Sequence, residues 1–278
     1  MSSNEVTWKD KLKAYTRTPG SLIVMLLVML SAIMTFAVLI FLIVYVLAHG
    51  VPYLKPSIFS LHYTSENASL MPALINTVIM TLLSLLIAVP FGIFAAIFLV
   101  EYAKRGNKFV EIIRLTTETL QGIPSIVYGL FGMLFFVTFC HWGFSILAGA
   151  FTLSIMVLPL IMRSTEEALK SVPDSYREGS FGLGAGKLRT VFRIVLPSAV
   201  PGILAGVILA VGRIVGETAA LIYTAGTLAK MPKNVMSSGR TLAVHMYNLA
   251  NATAVILLVL VVVINTLSGI AAKKLTKS

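Results

Sequence analysis

Apolar positions along the chain gather into six long stretches rather than short alternating runs: Leu22–Ala48, Ala73–Val100, Thr119–Cys140, Trp142–Met162, Ser198–Ala229 and Ala252–Ala272. A helix crosses the hydrocarbon layer of a bilayer in about 20 residues, so each stretch predicts one crossing. Charged residues interrupt only the fifth, at Arg213 and Glu217. The polar intervals sort by sign. Lys and Arg number 17 in the N-terminal arm, Ala103–Arg114, Arg163–Arg193 and the tail after Ala272, against 4 (Lys55, Lys230, Lys233, Arg240) in the alternate intervals. The positive-inside rule then places both termini in the cytoplasm. The expected fold is an all-α, polytopic inner-membrane helical bundle with six transmembrane helices.

Composition agrees. The chain is 57% hydrophobic and 12% charged, with a mean hydropathy of +0.91, where a soluble domain carries roughly 25% charged residues. Six spans in 278 residues leave no room for a large soluble domain. The net charge of +11 is spread between apolar runs rather than clustered on one face, which argues against nucleic acid as a partner. Leu22–Ala48 is 27 uncharged residues, longer than the apolar region of an export signal, and is expected to stay in the lipid. Cys140 is the sole cysteine, so it has no disulfide partner and reads as apolar filler. His49, His62, His141 and His245 lack metal-ligand spacing and are expected at solvated or interfacial positions. No metal site and no bound cofactor are expected. With no Gly-x4-Gly-Lys-Ser/Thr phosphate loop in the sequence, ATP hydrolysis by this chain is not expected either.

Three local patterns carry candidate chemistry. The longest cytoplasmic interval, residues 163–197, reads as a helix-turn-helix. Pro173-Asp174 ends one helix and offers an N-cap for the next, Gly182, Gly184 and Gly186 supply a turn, and Leu196-Pro197 is a helix-stopping pair. Its apolar Phe181, Leu183 and Leu188 are more than a solvated linker needs, so part of this surface is expected to dock on something. Within it, Glu178-Gly179-Ser180-x3-Gly184-x9-Ile194-x-Leu196-Pro197 resembles the Glu-Ala-Ala-x3-Gly-x9-Ile-x-Leu-Pro signature of permease subunits of bacterial ABC importers. Gly179 and Ser180 replace the two alanines. Both are small, but Gly179 should loosen its helix by roughly 1 kcal/mol. The resemblance implies that this loop is the coupling element seated in a groove of a separate ATPase subunit.

The second pattern is Gly212-Arg213-Ile-Val-Gly216-Glu217-Thr218-Ala-Ala-Leu. Counted along a continuous fifth helix, Arg213 lies about 22 Å from Ser198, too deep for its side chain to reach the cytoplasmic surface. A charge at that depth costs at least about 2.5–3.5 kcal/mol and marks a functional candidate. Arg213 and Glu217, four residues apart, are expected to share a face and neutralise one another. Gly202/Gly206 and Gly212/Gly216 would admit a second helix or a substrate close to that face. Two readings stand: a structural ion pair between helices, or an oxyanion site in which the guanidinium fork grips the anion while Glu217 accepts a proton-bearing oxygen. Sulfate has no such oxygen at neutral pH and hydrogen phosphate has one, so the second reading favours phosphate.

The third pattern is Gly122-Ile-Pro124-Ser125, where a kink or hinge is expected at the start of the third span. Plain shape and a pivot for alternating access both account for it. Arg163, at the cytoplasmic end of the fourth span, reads either as a positive-inside anchor or as a group that meets a departing anion.

With Gly122-Ile-Pro124-Ser-Ile-Val-Tyr128-Gly-Leu-Phe-Gly132, the Arg213 segment makes residues 71–272 similar to the permeases of phosphate-specific ABC importers, more to their PstA-type than their PstC-type subunits. The resemblance implies a type I ABC importer core over 73–272 with its coupling loop at 163–197, preceded by a cytoplasmic arm at 1–21, an additional first helix at 22–48 and an extracytoplasmic loop at 49–72, and followed by a tail at 273–278. It further implies a bacterial cytoplasmic membrane location, a homologous PstC-type permease, two copies of an ATP-binding subunit, an extracytoplasmic phosphate-binding protein, surrounding lipid, and Arg213, Glu217, Thr218 and Arg163 along the phosphate path. A permease for another oxyanion remains open, as does an ion-driven secondary transporter, although the inverted repeats usual in that class are not evident.

Overall fold

A computed structural model describes residues 19–64, 69–104, 106–248 and 250–277; the basic residues expected in the N-terminal arm lie outside them. The described residues are helical with no strand. By Cα packing the chain divides into residues 1–52 and residues 53–278. The described part of the first unit is α1 (Pro19–Gly50), an uncharged run that opens on Pro19 and ends at Gly50, ahead of Val51-Pro52.

The second unit begins with short 3₁₀ turns and then α2 (Met71–Ile97), opened by Pro72 where a missing N–H is harmless and ending in a π-helical turn, Phe98–Tyr102. The amphipathic α3 (Lys108–Gln121) follows, capped by the Asn107 side chain on the Phe109 amide. Next come α4 (Ser125–Gly132), continued as a π-helical run over Met133–Phe139, and α5 (Ile146–Ser171), capped by Ser145. The cytoplasmic excursion is α6 (Asp174–Gly182) and α7 (Lys187–Thr190), which passes through the π turn Val191–Val195 into α8 (Leu196–Val215). Short α9 (Ala219–Thr224) and α10 (Leu242–Asn248) precede α11 (Ala250–Lys277), which continues as helix into the expected tail as far as Lys277.

Among the described residues five helical runs are long and apolar enough to cross a membrane: 20–53, 71–102, 146–171, 187–215 and 253–274. α3 and α4, which meet at 101°, pass the same test only as a pair, in the form of one broken span or a re-entrant loop. The third span is therefore not one rod over Thr119–Cys140: Thr119 to Gln121 belong to α3, across the elbow from Ser125–Phe139. The fifth span is likewise not continuous over Ser198–Ala229, because α8 stops at Val215 and α9 starts at Ala219.

Helices in lipid gain little from hiding apolar surface and associate through close packing and hydrogen bonds, and the core of the second unit follows that rule. Ser84 and Ser154 join α2 to α5, each hydroxyl donating to a carbonyl of the other helix (Ser84 Oγ to Ala150 O, 3.2 Å; Ser154 Oγ to Ser84 O, 3.1 Å). Gly202 and Gly206 let α8 lie on α5: a Cβ at Gly202 would come within 2.7 Å of Ala168 Cβ, and one at Gly206 would overlap Ser164. Gly129 admits α9 onto α4 at Ala220 in the same way. Large side chains point outward instead, among them Leu82, Leu86, Phe91 and Phe94 of α2, the reverse of a water-soluble bundle.

Candidate functional site

Arg213 sits in the last turn of α8, where a cation meets the negative end of the helix dipole. Gly216 closes that helix through backbone bonds to Gly212 and Ile214, and the chain breaks over Gly216–Thr218 before α9. Thr218 occupies the cap position of α9 without a side-chain cap, while the buried Glu217 accepts the Ala220 N–H through Oε1 at 3.0 Å. Each charge thus faces the helix end of opposite sign. The expected neutralisation of Arg213 by Glu217 is not found: no ion pair joins them among the described residues, because the helix needed to align them stops between them. Arg213 is half-buried and has no carboxylate partner among those pairs. Gly212 and Gly216 leave open space beside it, where an added Cβ would meet only the chain's own turn.

The elbow of the third span lies nearby. Tyr128 of α4 is within electrostatic reach of Arg213, and its hydroxyl donates to Leu120 O of α3 at 2.8 Å. Gln121 Nε2 donates to Pro159 O of α5 at 3.0 Å, so the elbow is braced on both sides. Gly122 ends α3, Pro124 caps α4 with extended ψ, and Ser125 is the first residue of α4. The expected kink is thus a full break that Pro124 enforces by lacking an N–H to continue the α3 ladder.

Arg163 lies eight residues before the end of α5 and is held by Glu118 of α3 (3.3 Å) and Glu167 (3.1 Å). Beside it Glu166 pairs with Arg114 (2.8 Å) and Lys170 (2.6 Å). Arg163 is thus paired with two exposed carboxylates.

Between the fourth and fifth spans, α6 and α7 form the helix-turn-helix. Pro173, not Asp174, takes the cap position of α6, and the Asp174 carboxylate turns to Arg177. Of the three turn glycines only Gly184 needs its freedom: its φ is +79°, and the Ala185 N–H to Ser180 carbonyl bond closes the left-handed helix end that favours glycine. Glu178 is exposed, Ser180 is buried with its hydroxyl 2.8 Å from that of Thr190, and Ile194 is half-buried. Leu196-Pro197 does not stop a helix. Pro197 would clash with the carbonyl four residues back, and that residue, Arg193, lies in the π turn, so helix runs unbroken from Lys187 to Val215. Tyr176, Phe181, Leu188 and above all Leu183, 90% exposed, stand out from the fold, and a groove of about 440 Å³ runs between Tyr176, Leu183 and Arg193.

A Cβ at Gly179 meets open space. Gly179→Ala therefore should stabilise α6 by about 1 kcal/mol, read as slower amide exchange over residues 174–182 in the chain alone.

Two groups escaped the sequence reading. Arg177 ties α6 to the end of α2, donating to Glu101 through Nη2 (2.8 Å) and Nε (3.1 Å), and it also caps α5 at the Leu169 and Val172 carbonyls. A basic residue shortly after a helix end was the available signal. The second group is Arg240, counted only as a basic residue of an outer interval, and His245, expected at a solvated or interfacial position; they are 6% and 1% exposed. Burial, and secondarily the Arg240 charge, lowers the His245 pKa to about 4, so the ring is neutral. In the sequence, Arg240 is the sole charged residue between Lys233 and Lys273, which was the signal.

Comparison with known proteins adds a family. A family model described as binding-protein-dependent transport system inner membrane component matches residues 88–277. A probable ABC transporter permease protein, YqgI of Bacillus subtilis, is 35% identical over 266 residues, covering 85% of this chain and 89% of its own. The phosphate transport system permease protein PstA 2 of Mycobacterium bovis is 38% identical over 181 residues, covering 65% of this chain, which spans 60% of that relative's length. In fold, the chain resembles a bacterial alginate ABC transporter crystallised with an alginate pentasaccharide-bound periplasmic protein, with a TM-score of 0.65 at 17% identity over 99% of both chains.

Proposed function

Because the chain belongs to the binding-protein-dependent transport system inner membrane components, the permeases of ABC importers, we propose that it is the PstA-type permease half of an ATP-driven importer of inorganic phosphate. The observation that carries this reading is Arg213: a half-buried guanidinium inside the membrane region, without a carboxylate partner among the described residues, beside the open backbone of Gly212 and Gly216. Such a group is matched to a tetrahedral oxyanion, which accepts two parallel N–H bonds from the fork. Glu217 supplies the selectivity. Its Oε1 is engaged by the Ala220 amide, and the second oxygen is left to accept the O–H of hydrogen phosphate while repelling an anion that has none.

The chain works with others in this reading. A PstC-type permease completes the path, an extracytoplasmic binding protein delivers phosphate, and two ATPase subunits bind and hydrolyse ATP. They act through α6 and the turn after it, where Glu178 and Leu183 are exposed. Arg177 makes that motion effective, because it joins α6 to both α2 and α5.

The test is uptake of labelled phosphate by the assembled complex in vesicles. Uptake should require ATP and the ATPase subunit, and excess sulfate should not compete. Glu217→Gln keeps the oxygen that caps α9 but removes the charge, so the fold should hold while phosphate loses roughly tenfold or more of its advantage over sulfate. ATP-independent uptake, or a Glu217→Gln complex with unchanged selectivity, would sink the reading.

A further inference from the structure

Among the described residues, Arg240 is a buried cation without a carboxylate. Its Nε and Nη2 have no hydrogen-bond partner, and neither do both ring nitrogens of His245 nor Oδ1 of the fully buried Asn76. Buried donors and acceptors are nearly always paired, so a cluster of this kind calls for an explanation. The three residues sit together. Asn76 Nδ2 donates to the Arg240 carbonyl at 3.2 Å. The guanidinium lies 4.8 Å from the Tyr63 ring centroid, and His245 meets the same ring edge-on at 6.4 Å. The Arg240 backbone is fixed from both sides, by its own N–H on Leu228 O (3.1 Å) and by the Leu242 N–H on the Thr77 hydroxyl (2.8 Å).

The chemistry left over is one cation with two aligned donors, a neutral imidazole with one donor and one acceptor, and an amide oxygen. Hydrogen phosphate has the complement of that set, with anionic oxygens for the guanidinium and a hydroxyl for an acceptor. We propose that Arg240 and His245 form a second oxyanion site, at the extracytoplasmic entrance, which holds hydrogen phosphate on its way to Arg213. The site rests on the phosphate reading above. Tyr63 is its cover: the ring lies over the guanidinium, which partly compensates the cation, and it would give way to the anion. The loop that carries Arg240 is also bound to the segment after Arg213, since Gly239 N–H and Ser238 Oγ both donate to Ala225 O, the residue following α9. The entrance and the inner site are thus joined through one six-residue helix.

Equilibrium binding of labelled inorganic phosphate to the detergent-solubilised complex of both permeases and the ATPase, without the binding protein, tests this. In an Arg213→Gln background, phosphate binding should persist and resist sulfate. Adding Arg240→Gln should weaken it by about tenfold or more. His245→Leu, which keeps the volume and removes unpaired polar atoms, should weaken binding without lowering the melting temperature, and so guards against a misfolded Arg240 variant. Unchanged phosphate binding in both variants, with the melting temperature of Arg240→Gln lowered, makes Arg240 a structural cation and overturns the site. Displacement by phosphatidylglycerol but not by free phosphate would assign a lipid headgroup and also overturn it. Absence of phosphate uptake by the wild-type complex instead overturns the reading on which the site rests.

Discussion

Arg213→Gln is expected to reduce ATP-driven phosphate uptake about 100-fold or more while leaving the chain at least as stable as before. The two halves of that outcome belong together. A charge-assisted hydrogen bond contributes about 1.5–3 kcal/mol, and a guanidinium fork makes two, so losing both removes two or more orders of magnitude in capture of the anion. The same guanidinium costs at least about 2.5 kcal/mol to hold among apolar helices, and no carboxylate offsets that cost among the described ion pairs. A purely structural arginine behaves oppositely, since removing it strands its partner and lowers stability. Uptake in vesicles and thermal unfolding of the purified complex, measured on one preparation, therefore separate the two roles. Arg213→Lys should recover only part of the activity, because an ammonium restores the charge without the planar fork.

Leu183→Asp is expected to detach the ATPase without disturbing the permease. Leu183 stands at the tip of the α6–α7 turn, 90% exposed, next to Gly184 with its φ of +79°, so no contact within the chain depends on its side chain. Burying one leucine in a partner's groove contributes about 1.5–3 kcal/mol, or about 10- to 150-fold in affinity, and an aspartate adds the penalty of a desolvated charge. Co-purification of the ATPase should be lost, and phosphate-dependent ATP hydrolysis with it, while the helix content and melting temperature of the permease stay unchanged. Retention of a full complement of ATPase on the Leu183→Asp chain would place the docking surface elsewhere.

Much of this was legible in the order of residues. Spans need only length and apolarity, and the cytoplasmic turn announced itself through Gly184 and the spacing of its neighbours. The break at Gly122-Ile-Pro124 was readable because proline removes a donor wherever it falls; the 101° bend was not, because it is fixed by Tyr128 and Gln121 reaching to carbonyls of α3 and α5. The stop of α8 was missed for a related reason. Gly216 in an apolar run is read equally well as a packing surface or as a helix end, and only the capture of Glu217 by the Ala220 amide decides it. Pro197 misled in the other direction, since helices of this bundle carry prolines within them, at Pro90 of α2, Pro159 of α5 and Pro201 of α8. Burial of Arg240 was the least legible, because positive-inside counting treats every loop cation as solvated.

Moved as one body, the unbroken run from Lys187 to Val215 is a lever. Its fulcrum is the contact of Gly202 and Gly206 with Ala168 and Ser164 of α5, where the backbones come too close to slide. At about 1.5 Å per residue, the cytoplasmic arm from Lys187 measures about 26 Å and the arm to Arg213 about 14 Å. A displacement imposed at the inner end thus reaches the guanidinium at roughly half its amplitude and twice its force. A shift of a few ångströms at α7 moves Arg213 by an ångström or two, enough to break a bidentate grip on an anion without unwinding a turn.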